Sequence, residues 1–314
     1  MLTYVLKRCL MGAPTVLLVA VLVFTLIRAI PGDPAQIMLA DQATTETLAA
    51  MRTELGLDQP VPVQFALWLG KAVQGDFGVS IRTGQEVLPT VMERFRVTAS
   101  VVFLAMAVAG IVAIPAGLIA ARFQNRTPDM AVTLLAIFTL SLPSFWVGLM
   151  LLLTFGVWLG WLPTIGYVSV LEDFGRGVLY LLMPVGALAL TEIGVLTRMM
   201  RSSALEVLRM EYVTHARAKG LGEVAVLWRH VLRNAAGPTL TMAGLSLAAL
   251  LGGATVIETV FSLPGTGKLI VDSIYARDYP VLQCALLIVA LVYVVVNLLV
   301  DILYSLIDPR VRLK

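Results

Sequence analysis

The sequence predicts an all-α, polytopic membrane protein with six transmembrane helices and both termini in the cytoplasm. Three observations carry that expectation. Of the 314 residues, 59% are hydrophobic and 14% charged, which is too apolar for an ordinary soluble domain. The apolar residues gather in six runs of membrane-crossing character, a crossing needing about 20 helical residues. Lysine and arginine concentrate on alternate connecting segments, as they do when positive charge is held inside. No run shows the strand-period alternation of a membrane β-barrel.

The first run is Cys9 to Ile27. Lys7 and Arg8 precede it as they would in a signal peptide. Its core is long, however, and Arg28-Ala29-Ile30-Pro31 offers no small-residue cleavage site, so an uncleaved span is expected. Residues 31–96 form a large external (periplasmic) segment punctuated by Pro31-Gly32-Asp33-Pro34, Pro60, Pro62 and Gly75. Within it Thr45 to Leu55 has helical spacing, with Thr44 or Thr45 as its cap, and Val61 to Val73 reads as a second helix. Two roles fit such a segment: packing on its own spans, or docking a soluble partner.

The second run is Val97 to Ala121, and the third begins at Met130 and turns interfacial near Trp158 and Trp161, which with Tyr167 read as an aromatic belt. Inside the third lies Leu142-Pro143-Ser144-Phe145. A proline there kinks the helix and frees a carbonyl, so Pro143 and Ser144 mark a kink or a mobile element lining a pathway. Val178 to Thr197 is the fourth run, interrupted by Glu192. A carboxylate in hydrocarbon requires a partner or a watery cavity; Thr191, Arg198 and Arg201 are the polar residues near it in sequence. Glu192 is therefore a candidate for the pathway lining or for a buried structural hydrogen bond. Ala235 to Ile257 is the fifth run, and Tyr279 to Val300 the sixth, ending near Asp301.

With the N-terminus inside, the inner segments carry a balance of +7 and the outer ones −4. The small net charge of +3 is thus a topology signal and gives no reason to expect nucleic acid. Cys9 and Cys284 fall in opposite leaflets, too far apart for a disulfide, and read as packing residues. The expected organisation is an N-terminal helix (1–30), the external segment (31–96), a membrane domain (97–305) with a charged cytoplasmic loop (198–234), and a cytoplasmic tail (306–314).

The charged loop reads as two helices about a Gly-Leu-Gly break. Leu205, Leu208, Tyr212 and Ala216 recur as an apolar stripe on the first. Gly220 supplies a left-handed stop and presents Leu221 between two glycines. Glu223 opens the second helix at its positive end; Arg229, His230 and Arg233 sit in its last turns, with Val224, Leu227, Trp228 and Val231 as its buried face and Pro238 starting the next span. Small Ala216 and Ala218 let a partner groove close on the helix, and Arg217 and Lys219 are available to acidic groups at its rim. A docking surface accounts for this pattern, and force applied there enters the fourth and fifth spans.

Glu211-Tyr212-Val213, Ala216 to Leu221, His230, Leu232-Arg233-Asn234 and Pro238 together resemble the EAA loop of binding-protein-dependent ABC transporter permeases. The similarity is to the dipeptide/oligopeptide subfamily, in the first of its two permease subunits, and covers nearly the whole chain. It includes Pro31 to Pro34, Glu54 to Pro60, Gln74 to Gly78, Leu142 to Phe145, Leu251-Gly252-Gly253, Glu258 to Phe261, Leu263-Pro264-Gly265, Arg277 to Pro280 and Asp308-Pro309-Arg310. The resemblance implies a type I ABC importer permease fold, with 97–305 as its transmembrane domain, in a bacterial cytoplasmic (inner) membrane. It implies that Glu211, Tyr212, Ala216, Arg217, Ala218, Lys219, Gly220 and Leu221 form the coupling helix that meets an ATPase. Further implied are a second homologous permease subunit, two cytoplasmic ATPase subunits or domains that bind ATP and Mg, and an external solute-binding protein. The solute would be a dipeptide or oligopeptide, with glutathione, nickel, an opine or a sugar as alternatives. His215 stands where the subfamily often has threonine or an uncharged residue.

Other chemistries find little support. His215 and His230 lack metalloprotease spacing, and no span offers a serine–histidine pair, so neither catalysis nor a metal site is expected. Pro264-Gly265-Thr266-Gly267-Lys268 resembles part of a phosphate-binding loop, but Ser262 and Leu269 occupy the positions that need Gly and Ser or Thr. It reads as a turn before a short external helix; no cofactor is expected on this chain. A channel or passive carrier would share the hydropathy, but would leave the partner-shaped inner loop unexplained.

Overall fold

The computed structural model describes residues 2–29, 44–54, 58–170 and 172–307. Pro31 to Pro34, Gly56-Leu57 and the terminal Asp308-Pro309-Arg310 lie outside them. Helix α1 (Leu2–Ala29) is followed by α2 (Thr45–Glu54) and α3 (Val61–Val73), the two short helices expected. Thr44 caps α2, its hydroxyl accepting the Thr47 N–H at 3.2 Å. Helix α3 packs on α1 through an aromatic cluster, Phe24 lying 5.3 Å from Phe65 and 5.7 Å from Trp68. This part of the segment between α1 and α4 packs on α1.

The second span is longer than its apolar run. Helix α4 covers Val87–Arg122, ten residues earlier than expected, because Glu93, Arg94 and Arg96 end the hydrocarbon stretch without ending the helix. Hydropathy marks the depth of lipid, and helical hydrogen bonds continue beyond it. Val101, Ala105, Ala109, Ala113, Gly117 and Ala121 recur every four residues and are all buried. Much of this row faces α7 (Phe174–Leu208), the most extensive helix pairing in the molecule. A Cβ on Gly117 would stand 2.7 Å from Met200 Cβ and 2.9 Å from the Thr197 carbonyl, so only glycine allows this approach.

The third run is broken rather than kinked. Helix α5 (Thr127–Ser141) and α6 (Ser144–Leu151, continuing π-helically through Leu152–Trp158) meet at 93°. Pro143 has no N–H to donate and drives Leu142 into extended backbone; its own carbonyl then starts α6 by accepting the Val147 N–H at 3.1 Å. Trp158 and Trp161 are exposed, as a belt requires, whereas Tyr167 is partly buried against the core.

Beyond α7 come α8 (Glu211–Ala218) and α9 (Glu223–Ala225). The latter passes through a π-helical turn (Val226–Val231) into α10 (Leu232–Gly253). Then follow α11 (Thr255–Val260), α12 (Thr266–Ala276) and α13 (Tyr279–Ile307). Among the described residues four helices are long and apolar enough to cross a membrane, and the α5–α6 pair makes a fifth if taken as one span. Helix α1 carries a shorter apolar stretch, Leu10–Leu26. The main core joins α4, α6, α7, α10 and α11, and a second cluster lies at the Arg122 end of α4 under α8 and the π turn. Cys284 is fully buried, a packing residue as expected.

Candidate functional site

The charged loop is shorter than its sequence suggests, because α7 continues through Leu208 and the rod starting at Glu223 runs unbroken into α10. Residues 209–222 alone stand between the two long helices. Leu205 and Leu208 therefore belong to α7, and the stripe expected through Tyr212 is cut at Arg209-Met210. The buried face of α8 is Val213 and Ala216, one turn apart, while Tyr212 is half-exposed. Val213 seats the helix against α7, Val226, Leu227 and Val231, and Ala216 is buried one turn further on. Ala218, Lys219 and Glu211 face solvent.

Gly220 stops α8 as expected, with φ +83°. Its N–H donates to the Arg217 carbonyl at 2.9 Å and the Leu221 N–H to the Ala216 carbonyl at 3.3 Å, the paired bonds of a Schellman motif. That motif turns Leu221 back toward its own helix. Leu221 packs on the buried cluster instead of projecting as a tip. Arg217 is also committed within the chain: its Nε donates to Glu223 Oε1 at 2.8 Å and its Nη2 to Oε2 at 3.2 Å. The fork spans the turn and joins α8 to α9.

Leu227 and Val231 are buried as expected, but Val224 and Trp228, also expected inside, are exposed, and Val226 is buried instead. The π-helical turn widens the repeat to i→i+5, so a face assigned at 3.6 residues per turn lands in the wrong register. Arg229, His230 and Arg233 are likewise not at a helix end, since the rod continues to Gly252. Pro238 lies inside α10 and starts nothing.

Glu192 is buried in mid-α7, with Ser246 of α10 as the polar side chain beside it and its Oε2 without a hydrogen-bond partner. Arg201 is not its partner. That guanidinium donates through Nε and Nη2 to both carboxylate oxygens of Asp129, at 2.5 and 2.8 Å, while the Asn125 N–H adds a third bond at 2.8 Å. Pro143 is exposed and Ser144 partly so, at the α5–α6 break; neither is hydrogen-bonded to Glu192 through its side chain. The eight loop residues come together in one small hairpin, and the three pathway candidates do not.

One polar centre escaped the sequence reading. Glu258 is only 1% exposed and takes the Thr98 hydroxyl on Oε1 and the Lys268 N–H on Oε2 at 2.9 Å. The Gly267 N–H is a further donor, and the Thr98 oxygen in turn accepts the Thr266 N–H at 2.8 Å. A Cβ on Gly265 would lie 2.1 Å from the Glu258 carboxyl carbon. The Pro264-Gly265-Thr266-Gly267-Lys268 turn thus does hold an anion at a helix N-terminus, but the anion is the chain's own carboxylate. Burial pushes the Glu258 carboxyl above the usual glutamate value, against the pull of these donors.

The helical architecture, with long apolar helices joined through a short, internally braced hairpin, is that of a multi-pass membrane protein. The same fold occurs in the inward-facing MetNI methionine ABC transporter, at TM-score 0.56 and 15% identity over 69% of this chain and 96% of that one. Residues 113–313 match the binding-protein-dependent transport system inner membrane component, and residues 1–102 its N-terminal component. A peptide transport system permease protein of Brucella suis biovar 1 (strain 1330) is 43% identical over 99% of both chains. The glutathione transport system permease protein GsiC of Escherichia coli (strain K12) is 41% identical over the full length of both. The chain belongs to the binding-protein-dependent transport system inner membrane component family, in its peptide subfamily, as a multi-pass protein of the inner membrane.

Proposed function

We propose that this permease subunit, paired with a second homologous one, forms the path by which dipeptides or oligopeptides enter the cell after delivery by an external solute-binding protein. Full-length similarity to a peptide permease is the single observation that carries the substrate class. Glutathione, itself a tripeptide, is the second reading, favoured by the relative from E. coli.

In this reading α1, α4, the α5–α6 pair, α7, the Glu223–Gly252 rod and α13 are six spans with both termini in the cytoplasm. Residues 209–222 then face inward. ATP with Mg binds in two ATPase subunits or domains, and their closure draws the hairpins of the two permeases together. Because α8 is anchored by Val213 to the ends of α7 and α10, its displacement passes into both helices and rocks the bundle outward-open. Hydrolysis restores the inward-open form. Glu211, Tyr212, Ala218 and Lys219 offer the contact face; Ala216, Gly220, Leu221 and Arg217 hold its shape. Glu192, Pro143 and Ser144 are proposed for the pathway, Glu192 by its unpartnered oxygen and the other two by the helix break.

The test is ligand identification on the cognate binding protein, followed by uptake of that ligand into proteoliposomes holding the assembled transporter. Peptide uptake that requires ATP is the expected result. Uptake unchanged by omitting ATP would instead make the chain part of a channel or passive carrier.

A further inference from the structure

At the far end of α4 from the hairpin lies a cavity of about 280 Å3. It opens between the turn around Ser80–Gln85, the first turns of α4, and residues Ser262–Val281. With a rise of 1.5 Å per residue, the 24 residues from Arg94 to Leu118 separate it from the hairpin cluster by roughly 36 Å. Three cations line it from three separate elements: Arg82 from the turn, Arg94 from α4 and Lys268 from α12. Among the described residues none of the three is in an ion pair, and Arg94 Nε is buried without a hydrogen-bond partner.

The lining carboxylates do not neutralise this set. Asp278 is occupied by the Ser80 hydroxyl and the Ile81 N–H, and Asp272 makes no ion pair. The amide donors of the α12 N-terminus are likewise spent, on Glu258 and Thr98. What remains is a recess where two guanidinium groups and an ammonium outnumber the two lining carboxylates, Asp272 and Asp278, and the surplus positive charge matches an oxyanion. The Thr98 hydroxyl donates to Glu258 of α11 and accepts the Thr266 N–H of α12, which ties α12 to α4 and so holds Arg94 and Lys268 at a fixed separation before anything binds.

We propose that this cavity receives the carboxylate of the transported solute on its way from the binding protein into the permease. The proposal rests on the peptide-import reading and deepens it. A recess of this size admits a carboxylate and the residue bearing it, rather than a whole oligopeptide. The terminal carboxylate is the one group shared by free peptides whatever their side chains. A site that reads it tolerates a varied cargo, and the planar fork of Arg94 suits a two-point grip.

Equilibrium binding of Ala-Ala and of Ala-Ala-amide to the assembled transporter, in phosphatidylcholine nanodiscs without binding protein or ATP, tests this. The acid should bind at least tenfold more tightly than the amide. Arg94→Gln and Lys268→Gln should each weaken the acid at least fivefold and leave the amide unchanged. Arg82→Gln, on an exposed turn, should do the same with no change in thermal stability, which covers the case where either buried-side variant misfolds. Equal binding of acid and amide, or wild-type selectivity in all three variants, overturns the proposal. So does loss of acid binding in phosphatidylglycerol nanodiscs, which would make a lipid headgroup the guest. If instead the acid binds selectively but no ATP-driven peptide uptake occurs, the import reading falls while the anion site stands.

Discussion

Arg217 and Glu223 face each other across the turn at Gly220 and are joined by two parallel hydrogen bonds of 2.8 and 3.2 Å. Both side chains are more than a third exposed, so solvent screening holds the pair to less than about 1 kcal/mol of stability. Its effect is on shape. Arg217→Ala should leave thermal unfolding of the purified transporter nearly unchanged while lowering solute-stimulated ATPase activity. The exchange Arg217→Glu with Glu223→Arg should recover most of that activity. A double variant no better than either single one would show that the pair does not hold the hairpin.

Gly220 has open space where a Cβ would go, so replacing it tests backbone conformation alone. A residue with a branched Cβ at φ +83° costs about 1–2 kcal/mol, and asparagine much less. Gly220→Val should therefore uncouple uptake from ATP hydrolysis, and Gly220→Asn should remain coupled. Both are read by the ratio of solute transported to ATP consumed in proteoliposomes.

Asp129 and Arg201 join α5 to α7 through a carboxylate only 4% exposed. Removing one partner strands the other charge, so Asp129→Ala should destabilise the fold by roughly 3 kcal/mol. Replacing both, as Asp129→Leu with Arg201→Met, should cost much less. The unfolding midpoints of the three variants in detergent separate a stranded charge from a simple loss of packing.

Glu258→Ala would leave the Thr98 hydroxyl and two backbone N–H groups unpaired in a buried site, a loss of at least about 3 kcal/mol at roughly 1–3 kcal/mol per orphaned group. Glu258→Gln keeps the shape but turns an NH2 toward one donor, so an intermediate loss is expected. Because burial raises this carboxyl, the folded state keeps its proton at pH values where the unfolded chain has released it. Stability from this group is thus present below the unfolded value near 4.5 and declines as pH rises toward the folded one. Glu258→Gln should flatten that part of the profile.

The long apolar helices and the glycine stop were legible because each rests on a local rule: lipid thickness sets run length, and only glycine sits comfortably at the φ of residue 220. The two short helices of the external segment were legible for the same reason, Val61–Val73 to the residue. The burial of Val224 and Trp228 was misjudged because a π-helical turn shifts register, and nothing local in Val226–Val231 announces one. Arg201, one of three polar residues near Glu192 in sequence, pairs instead with Asp129, which is 72 residues away and is brought to it only by the packing of α5 on α7. Glu258 escaped because its donors arrive from α4 and α12, although the Gly265-Thr266-Gly267 turn carried the signal of an anion cradle. The four-residue repeat of small side chains from Val101 to Ala121 could have located the α4–α7 contact in advance.

The turn before α12 has a consequence for nucleotides. Its guest is tethered five to ten residues away on the same chain, so the local concentration of that competing group far exceeds that of any free phosphate. A sequence fragment that looks ready to grip ATP is therefore permanently self-occupied. The molecule has turned a would-be ligand pocket into a latch between two of its own helices.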